Sequence, residues 1–286
     1  MSRQQLWIKL VALVVMLVAV PSVEAAGAKT GFLKKGEYLR FRGRIGSVDG
    51  GFGYLQINKV SKKRKGTYIR AMMKGRTNAF FDKVHRVNNR FWSSFFMEGD
   101  NPFRYDLQVD QAGTLQRRKM FFRPASNFGK VKVDIKTRKF RNRKPRTPRY
   151  RRNYKVPLDT HSLVHAAYKI RSLPYKKGKV YNFHVFATGR IWLAKARLVK
   201  KVSLMTLLGR RRALYVEVQA KRFKRKEKFR KIHVWLGDND LRIPFKIQGA
   251  IPYMGFAIGE LVGYRRHATA PYMKKRRGLR GFLSSF

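Results

Sequence analysis

The stretch Leu39-Arg40-Phe41-Arg42-Gly43-Arg44-Ile45 decides how this chain is read. Leu39, Phe41 and Ile45 interleave with Arg40, Arg42 and Arg44. Further on, Val131, Val133 and Ile135 interleave with Lys130, Lys132 and Lys136. A period of two sends successive side chains to opposite faces of a strand, so both stretches are half-buried antiparallel strands, apolar inward and cationic outward. The same pattern predicts strands at 54–60, 66–76, 83–97, 103–109, 115–123, 179–187, 190–202, 212–222, 228–236, 242–251 and 256–265. Gly50-Gly51, Asp100-Asn101-Pro102, Gly113 and Asp238-Asn239 supply turns. One segment changes period. Asp159 can cap a helix there, Leu163, Ala166, Ala167 and Ile170 recur on one face, and Leu173-Pro174 ends it. The expectation is a mainly β protein: a single curled antiparallel sheet or open β-barrel with one central helix at about 159–172. Two small β domains divided near residue 155 are the competing arrangement.

Charge is the second dominant feature. Lys and Arg number 67 against 15 Asp and Glu, a formal net charge of +52. Such a surface repels itself and attracts polyanions: nucleic acid, lipopolysaccharide, anionic phospholipid or polyphosphate. Alternation places this charge on the outer sheet face, through Arg40, Arg42, Arg44, Lys130 and Lys132, rather than in a separate tail. The stretch 138–155 is the basic extreme, without an acid and with Pro145 and Pro148 against regular structure. It reads as an irregular linker between residues 27–137 and 156–266, the two halves of the barrel. As a polyanion-contacting arm it offers Arg141, Arg143, Lys144, Arg146, Arg149, Arg151 and Arg152, with Tyr150 and Tyr154 available to stack. The tail at 267–286 reads as a frayed terminus. Its Lys274-Lys275-Arg276-Arg277 run and its Phe282, Leu283 and Phe286 also suit anionic lipid.

The first 26 residues have the form of a secretory signal. Arg3 and Lys9 precede an unbroken apolar run from Leu10 to Val20, and Pro21-Ser22 and Ala25-Ala26 follow. Cleavage after Ala25 or Ala26 is expected, because so short a run falls well below the ~20 residues that span a bilayer. No Cys stands at the cleavage point, which excludes a lipoprotein anchor, and nothing later is apolar enough to be a spanning helix. The chain has no Cys at all, so an oxidising compartment offers it no disulfide, and thiol catalysis and thiolate metal sites are excluded.

From Asp159 onward the residues resemble a bacterial envelope family, domain of unknown function 3108. The resemblance rests on Asp159-Thr160-His161-Ser162-Leu163 running through Tyr168 and Arg171 to Leu173-Pro174. It continues through Lys179-Val180-Tyr181 to Val185-Phe186, and through Val234-Trp235-Leu236-Gly237-Asp238-Asn239 to Arg242-Ile243-Pro244. The ending Glu260-Leu261-Val262-Gly263-Tyr264 completes it. In the first half, Gly36-Glu37-Tyr38-Leu39 and Thr77-Asn78-Ala79-Phe80-Phe81 are similar more loosely. The sequence departs from the family pattern at Leu204–Arg212 and in its excess of Lys and Arg. The resemblance implies an exported open barrel in the style of periplasmic lipid- or lipoprotein-handling proteins, and implies no enzymatic activity.

Chemistry-bearing constellations are scarce. His161 and His165 stand one helical turn apart, a spacing that can hold Zn, but Ser162 occupies the place of a catalytic Glu and no third ligand follows. Neither metal nor cofactor is expected. Asp238 and Asp240 flank Asn239 in a turn, and Glu260 is expected to pair with an Arg. Phe91, Trp92, Phe95, Phe96, Phe121, Phe122 and Trp192 are expected to line the inner face, as barrel core or an apolar cavity, with Trp235 beside them. The function expected is a non-enzymatic, exported envelope protein. It binds lipopolysaccharide or anionic lipid through the cationic face, with an acyl chain inside. The alternative is a secreted binder of nucleic acid that tracks phosphates without reading sequence.

Overall fold

The computed structural model describes residues 32–274 except 65, 98–101, 112–113, 125–128, 140–148, 188, 252–254, 268 and 270–272. The expected signal, most of the arm (Arg141, Arg143, Lys144 and Arg146 included) and the tail beyond 274 therefore lie outside the described residues, as do Asp100, Asn101 and Gly113.

The described residues form a 17-stranded sheet with two helices. β1 (Tyr38–Ile45), β2 (Val48–Lys63), β3 (Gly66–Thr77) and β4 (Asn88–Phe96) begin an antiparallel meander. It continues through β5 (Pro102–Gln111), β6 (Thr114–Pro124), β7 (Gly129–Lys139) and β8 (Arg149–Val156). A short β9 (Thr160–Ser162) leads into the longer helix, and β10 (Val180–Tyr181) and β11 (His184–Ala187) follow it. A second meander runs through β12 (Arg190–Thr206), β13 (Gly209–Arg222), β14 (Arg230–Gly237), β15 (Pro244–Ile251) and β16 (Gly255–Arg265). β16 pairs back onto β1, which joins both meanders into one sheet. The two ends of the ribbon meet where Tyr154 of β8 packs edge-on against Phe186 of β11, with ring centroids 5.0 Å apart. The result is an open, nearly closed barrel, as the alternation predicted.

Four local expectations need correction. Residues 149–155 are no linker: β8 pairs antiparallel with β7, Arg151 opposite Asp134 and Lys155 opposite Lys130. The prolines lie before this strand and so take nothing from its ladder. Residues 83–85, expected to open a strand, are helical: α1 (Ala79–His85) starts where the Asn78 side chain accepts from the Phe81 N–H at 2.9 Å. An N-cap satisfies a first-turn donor, and here it outweighs the strand pattern. Gly50-Gly51 is not a turn. The two-residue turn falls at Gly46-Ser47, where Gly46 has φ +57. Gly51 lies inside β2, where a Cβ would stand 2.1 Å from the Arg76 carbonyl oxygen. Finally, Met273–Lys274 at the start of the tail forms β17 against β16.

The longer helix, α2 (Leu163–Ser172), begins at Ser162, whose Oγ accepts from the His165 N–H, and not at Asp159. Asp159 instead holds His184 Nδ1 at 2.8 Å. Nine of the ten helix residues are buried, so α2 is a plug inside the barrel rather than a cover over it. Its last turn is pinned by charge. Arg171, 1% exposed, donates from Nη1 and Nη2 to the two carboxylate oxygens of Glu37 at 2.8 and 2.7 Å. It also donates to the carbonyls of Leu241 and Arg242, and its guanidinium lies 4.1 Å from the Phe32 ring centroid. Fully bidentate, multiply hydrogen-bonded pairs of this kind are the ones that survive desolvation.

Candidate functional site

The outer face of the first meander carries a register-aligned row of cations. Arg40 pairs with Tyr54, Tyr54 with Lys74, Lys74 with Arg90, Arg90 with Gln108, and Gln108 with Arg117. In register the backbone ladder continues to Lys136 and Arg149. From Arg40 to Arg117, five inter-strand steps of ~4.8 Å make the row about 24 Å long. It contains no acid. Like charges directly opposite across a ladder destabilise it, and here Lys74 faces Arg90. The Lys74 ammonium is accordingly pushed below its ordinary value, by partial burial first and then by Arg90 and Arg76. An anion laid along this row relieves that repulsion.

The expected cationic residues fare unequally. Arg40 is exposed and lies over the Phe52 ring at 4.9 Å, and Lys132 and Arg151 are exposed. Arg42 and Arg44 are already engaged: Arg42 with Asp49 at 2.6 Å, Arg44 with Glu260 at 3.1 Å. Glu260 thus has the Arg partner expected of it, and these two cations are the weaker candidates. Arg152 is exposed but shares the strand parity of Tyr154, so it belongs to the opposite face from Arg151. Lys130 and Arg149 sit within β7 and β8.

The aromatic residues also divide between faces. Phe91, Phe95, Phe122 and Trp192 are buried inward as expected. Trp92, Phe96, Phe121 and Trp235 are not. They occupy the other parity of their strands and are half-buried on the outside. On β4 the expectation put Phe91 and Trp92, adjacent in sequence, on one face; a strand cannot do so. Outside, Trp235 stacks on Tyr215 with centroids 5.0 Å apart, and Lys246 Nζ lies 5.1 Å over the Trp235 ring. Arg104 approaches Phe121 at 5.6 Å. These are cation–π pairs on a basic surface.

Inside the barrel, beneath β1–β3, lies an apolar cavity of about 180 Å³. Ile170 and Ala167 of α2 form one wall, Val234, Leu236 and Ile247 a second, and Phe41, Leu55 and Met73 a third. The space exists because Gly43, Gly53, Gly75 and Gly259 stand where larger residues occupy the rest of the inner face. Gly43 faces both Gly259 and Gly51 across its ladders, and Gly53 faces Gly75. Nothing lies within 4 Å of where a Cβ at Gly75 would sit. No strand pattern signals such a void; aligned glycines on neighbouring strands do, but only once the register is known.

The histidine pair is structural. His161 Nδ1 and His165 Nδ1 are 3.2 Å apart, and the His165 ring stacks on Phe95 at 4.1 Å. Burial, then Lys169 and His184, hold His161 well below the ordinary imidazole value; burial, then His161 and Lys169, do the same to His165. Both rings are neutral packing elements. Among the described residues no three His, Asp or Glu side chains converge on a point where a metal could sit.

The profile of the family described as protein of unknown function (DUF3108) matches residues 40–262. The chain belongs to this family. Three of the sequence blocks that carried the resemblance meet at one place in the DUF3108 fold: Glu37 of the opening block, Arg171 of the helix, and the Asn239–Arg242 turn whose carbonyl accepts from Arg171. They form the α2 pin, not a surface site. Among solved structures, the DUF3108 chain is similar to a beta-barrel-like protein of domain of unknown function DUF1849 from Brucella abortus. The TM-score is 0.54 at 12% identity, over 80% of this chain and 97% of that one. That likeness is one of fold. A Bacteroides fragilis protein with a YmcC-like fold matches over 80% of this chain and 94% of its own, at 8% identity and a TM-score of 0.35. No curated protein matches the DUF3108 chain.

Proposed function

We propose that the protein is an exported, non-enzymatic envelope component that binds a phosphorylated amphiphile, lipopolysaccharide or anionic lipid. One observation carries the reading: an acid-free cation row crosses the outside of the strands whose inner glycines open the apolar cavity. The two surfaces match the two halves of such a ligand, phosphates outside and acyl carbon inside. Arg and Lys supply charge-assisted hydrogen bonds to phosphate oxygen, and apolar transfer contributes about 25 cal/mol per Å² of chain buried. Export rests on the leader-like first 26 residues.

A second reading has its own support. Outward Trp235, stacked on Tyr215 beside Lys246, offers the platform that single-stranded nucleic acid uses. Titrating the protein with lipopolysaccharide and with single-stranded and duplex DNA at low and raised salt separates the two. Lipopolysaccharide binding that persists at raised salt, with DNA binding that collapses, supports the amphiphile. Tight DNA binding with no affinity for lipopolysaccharide overturns it.

A further inference from the structure

One end of the barrel gathers exposed apolar side chains. Val48 in the β1–β2 hairpin is 50% exposed, Phe80 in α1 is 63% and Phe256 at the start of β16 is 48%. They come from three separate segments that hydrogen bonds tie together. The Gly46 N–H donates to the Phe256 carbonyl at 3.0 Å, and the Asn78 N–H to the Gly50 carbonyl at 3.1 Å. Asn78 Nδ2 also reaches the Asp49 carbonyl at 2.6 Å. Turn and hairpin tips are ordinarily polar, so three large apolar residues at one rim form a feature, whereas a single exposed residue needs no explanation.

Two further observations belong to the same end. The cavity reaches it: Ile45, the last residue of β1, and Thr77, the last of β3, are in the lining, together with Gly50 and Val87. So does a block of charge. Register carries the Ile45 end of β1 to Ala257, then to Gly249 of β15 and Ile232 of β14, and so to the β13–β14 connection. That connection reads Phe223-Lys224-Arg225-Lys226-Glu227-Lys228-Phe229, with Lys224, Arg225, Lys226 and Lys228 exposed. The acids at this end are engaged: Asp49 with Arg42, Glu227 with Arg222, Asp82 with the Thr77 hydroxyl.

We infer that this rim docks on an anionic lipid bilayer. Val48, Phe80 and Phe256 enter the acyl boundary while the β13–β14 hairpin lies against the headgroups, with the cavity opening onto the membrane. The chemistry is that of an interfacial anchor, apolar insertion reinforced by attraction to anionic lipid. The inference rests on the amphiphile reading above and says by which end the ligand is met.

The cysteine-free chain makes the test clean. Phe80→Cys, Val48→Cys and Phe256→Cys are each labelled with a polarity-sensitive fluorophore. So is Met205→Cys, at the β12–β13 tip, which register places at the other end of the strands. Full chains are mixed with vesicles of phosphatidylglycerol and phosphatidylcholine, or of phosphatidylcholine alone, and sedimentation is measured in parallel. On the anionic vesicles the three rim labels shift to the blue and lose access to aqueous iodide, and the Met205 label does not. Phe80→Ser weakens partitioning on the order of tenfold. Replacing Lys224, Arg225, Lys226 and Lys228 by Gln weakens it by about fivefold per charge, on anionic vesicles only. Sedimentation with all labels still aqueous, or with the Met205 label shifted equally, overturns the docking rim and leaves amphiphile binding standing. Failure to sediment with anionic vesicles, together with no lipopolysaccharide binding, removes both.

Discussion

Helix α2 has two kinds of neighbour inside one barrel, and they differ in what the sheet offers. Toward β4 and β11 the space is filled: Phe95 stacks on His165 and lies tilted against Tyr168, and Phe183 lies against His161. Toward β1–β3 and β16, Ala167 and Ile170 face glycines and the cavity. The same helix is thus core on one side and wall on the other. A barrel that needed only stability has no reason to leave that wall uncovered, because interiors pack to near-crystalline density and unfilled volume forfeits contacts. The filled side holds the fold, and the open side is the one that the proposed function assigns to a ligand.

The largest effect should come from the pin that sets α2 between the two sides. Arg171→Leu leaves Glu37 buried without a partner and should cost on the order of 3–5 kcal/mol. A urea midpoint lowered in proportion confirms it, while an unchanged midpoint denies the pin any structural role. Truncation on the two sides should then differ. Phe95→Ala on the filled side should cost about 3–5 kcal/mol, and Ile170→Ala beside the cavity should fall near the low end of the ~2–5 kcal/mol range. Equal losses erase the distinction between core and wall.

Acid sharpens the filled side. His161 and His165 are held below the ordinary imidazole value in the fold, so the unfolded chain binds their protons first as pH falls. Their contribution is therefore complete above about pH 6.5 and is lost progressively below it. Melting temperature should drop between pH 7.5 and 5, and His165→Phe should flatten the drop. A variant that melts in parallel with the parent shows that the histidines do not set the slope. On the open side, Gly75→Leu adds a side chain whose Cβ meets nothing within 4 Å, at the cavity wall. Stability should hold or rise by up to about 1 kcal/mol, because apolar area is buried and a strand glycine is removed. Calorimetry checks this; a loss of several kcal/mol means the space is not there.

Much of the fold was legible because alternation is a local signal. Leu39-Arg40-Phe41 and Val131-Lys132-Val133 need only their own neighbours to declare an inner and an outer face. The barrel followed from many such strands around one helix. What failed was non-local or capped. The Asn78 cap started a helix that took 83–85 from the expected strand, and the β7 ladder recruited residues 149–155 from what composition suggested was a linker. The site was legible in part. Arg40 and the general placement of charge outward could be read, but the pairing of Arg42 and Arg44 with Asp49 and Glu260 depends on partners 7 and 216 residues away. An apolar cavity was expected, but none of the aromatic residues expected to line it does so, and its place was hidden for the same reason: Gly43, Gly53, Gly75 and Gly259 are ordinary glycines until register aligns them.

On the proposed function, the open side of α2 takes the acyl part of an anionic lipid. Mass spectrometry of the organic extract of the protein purified after export in a bacterial host, beside the Gly75→Leu variant, tests this most directly. An acylated, phosphate-bearing lipid at near-stoichiometric amount in the parent, and its loss from the folded variant, is the result predicted here. Lipid retained equally by both, or by neither, contradicts it.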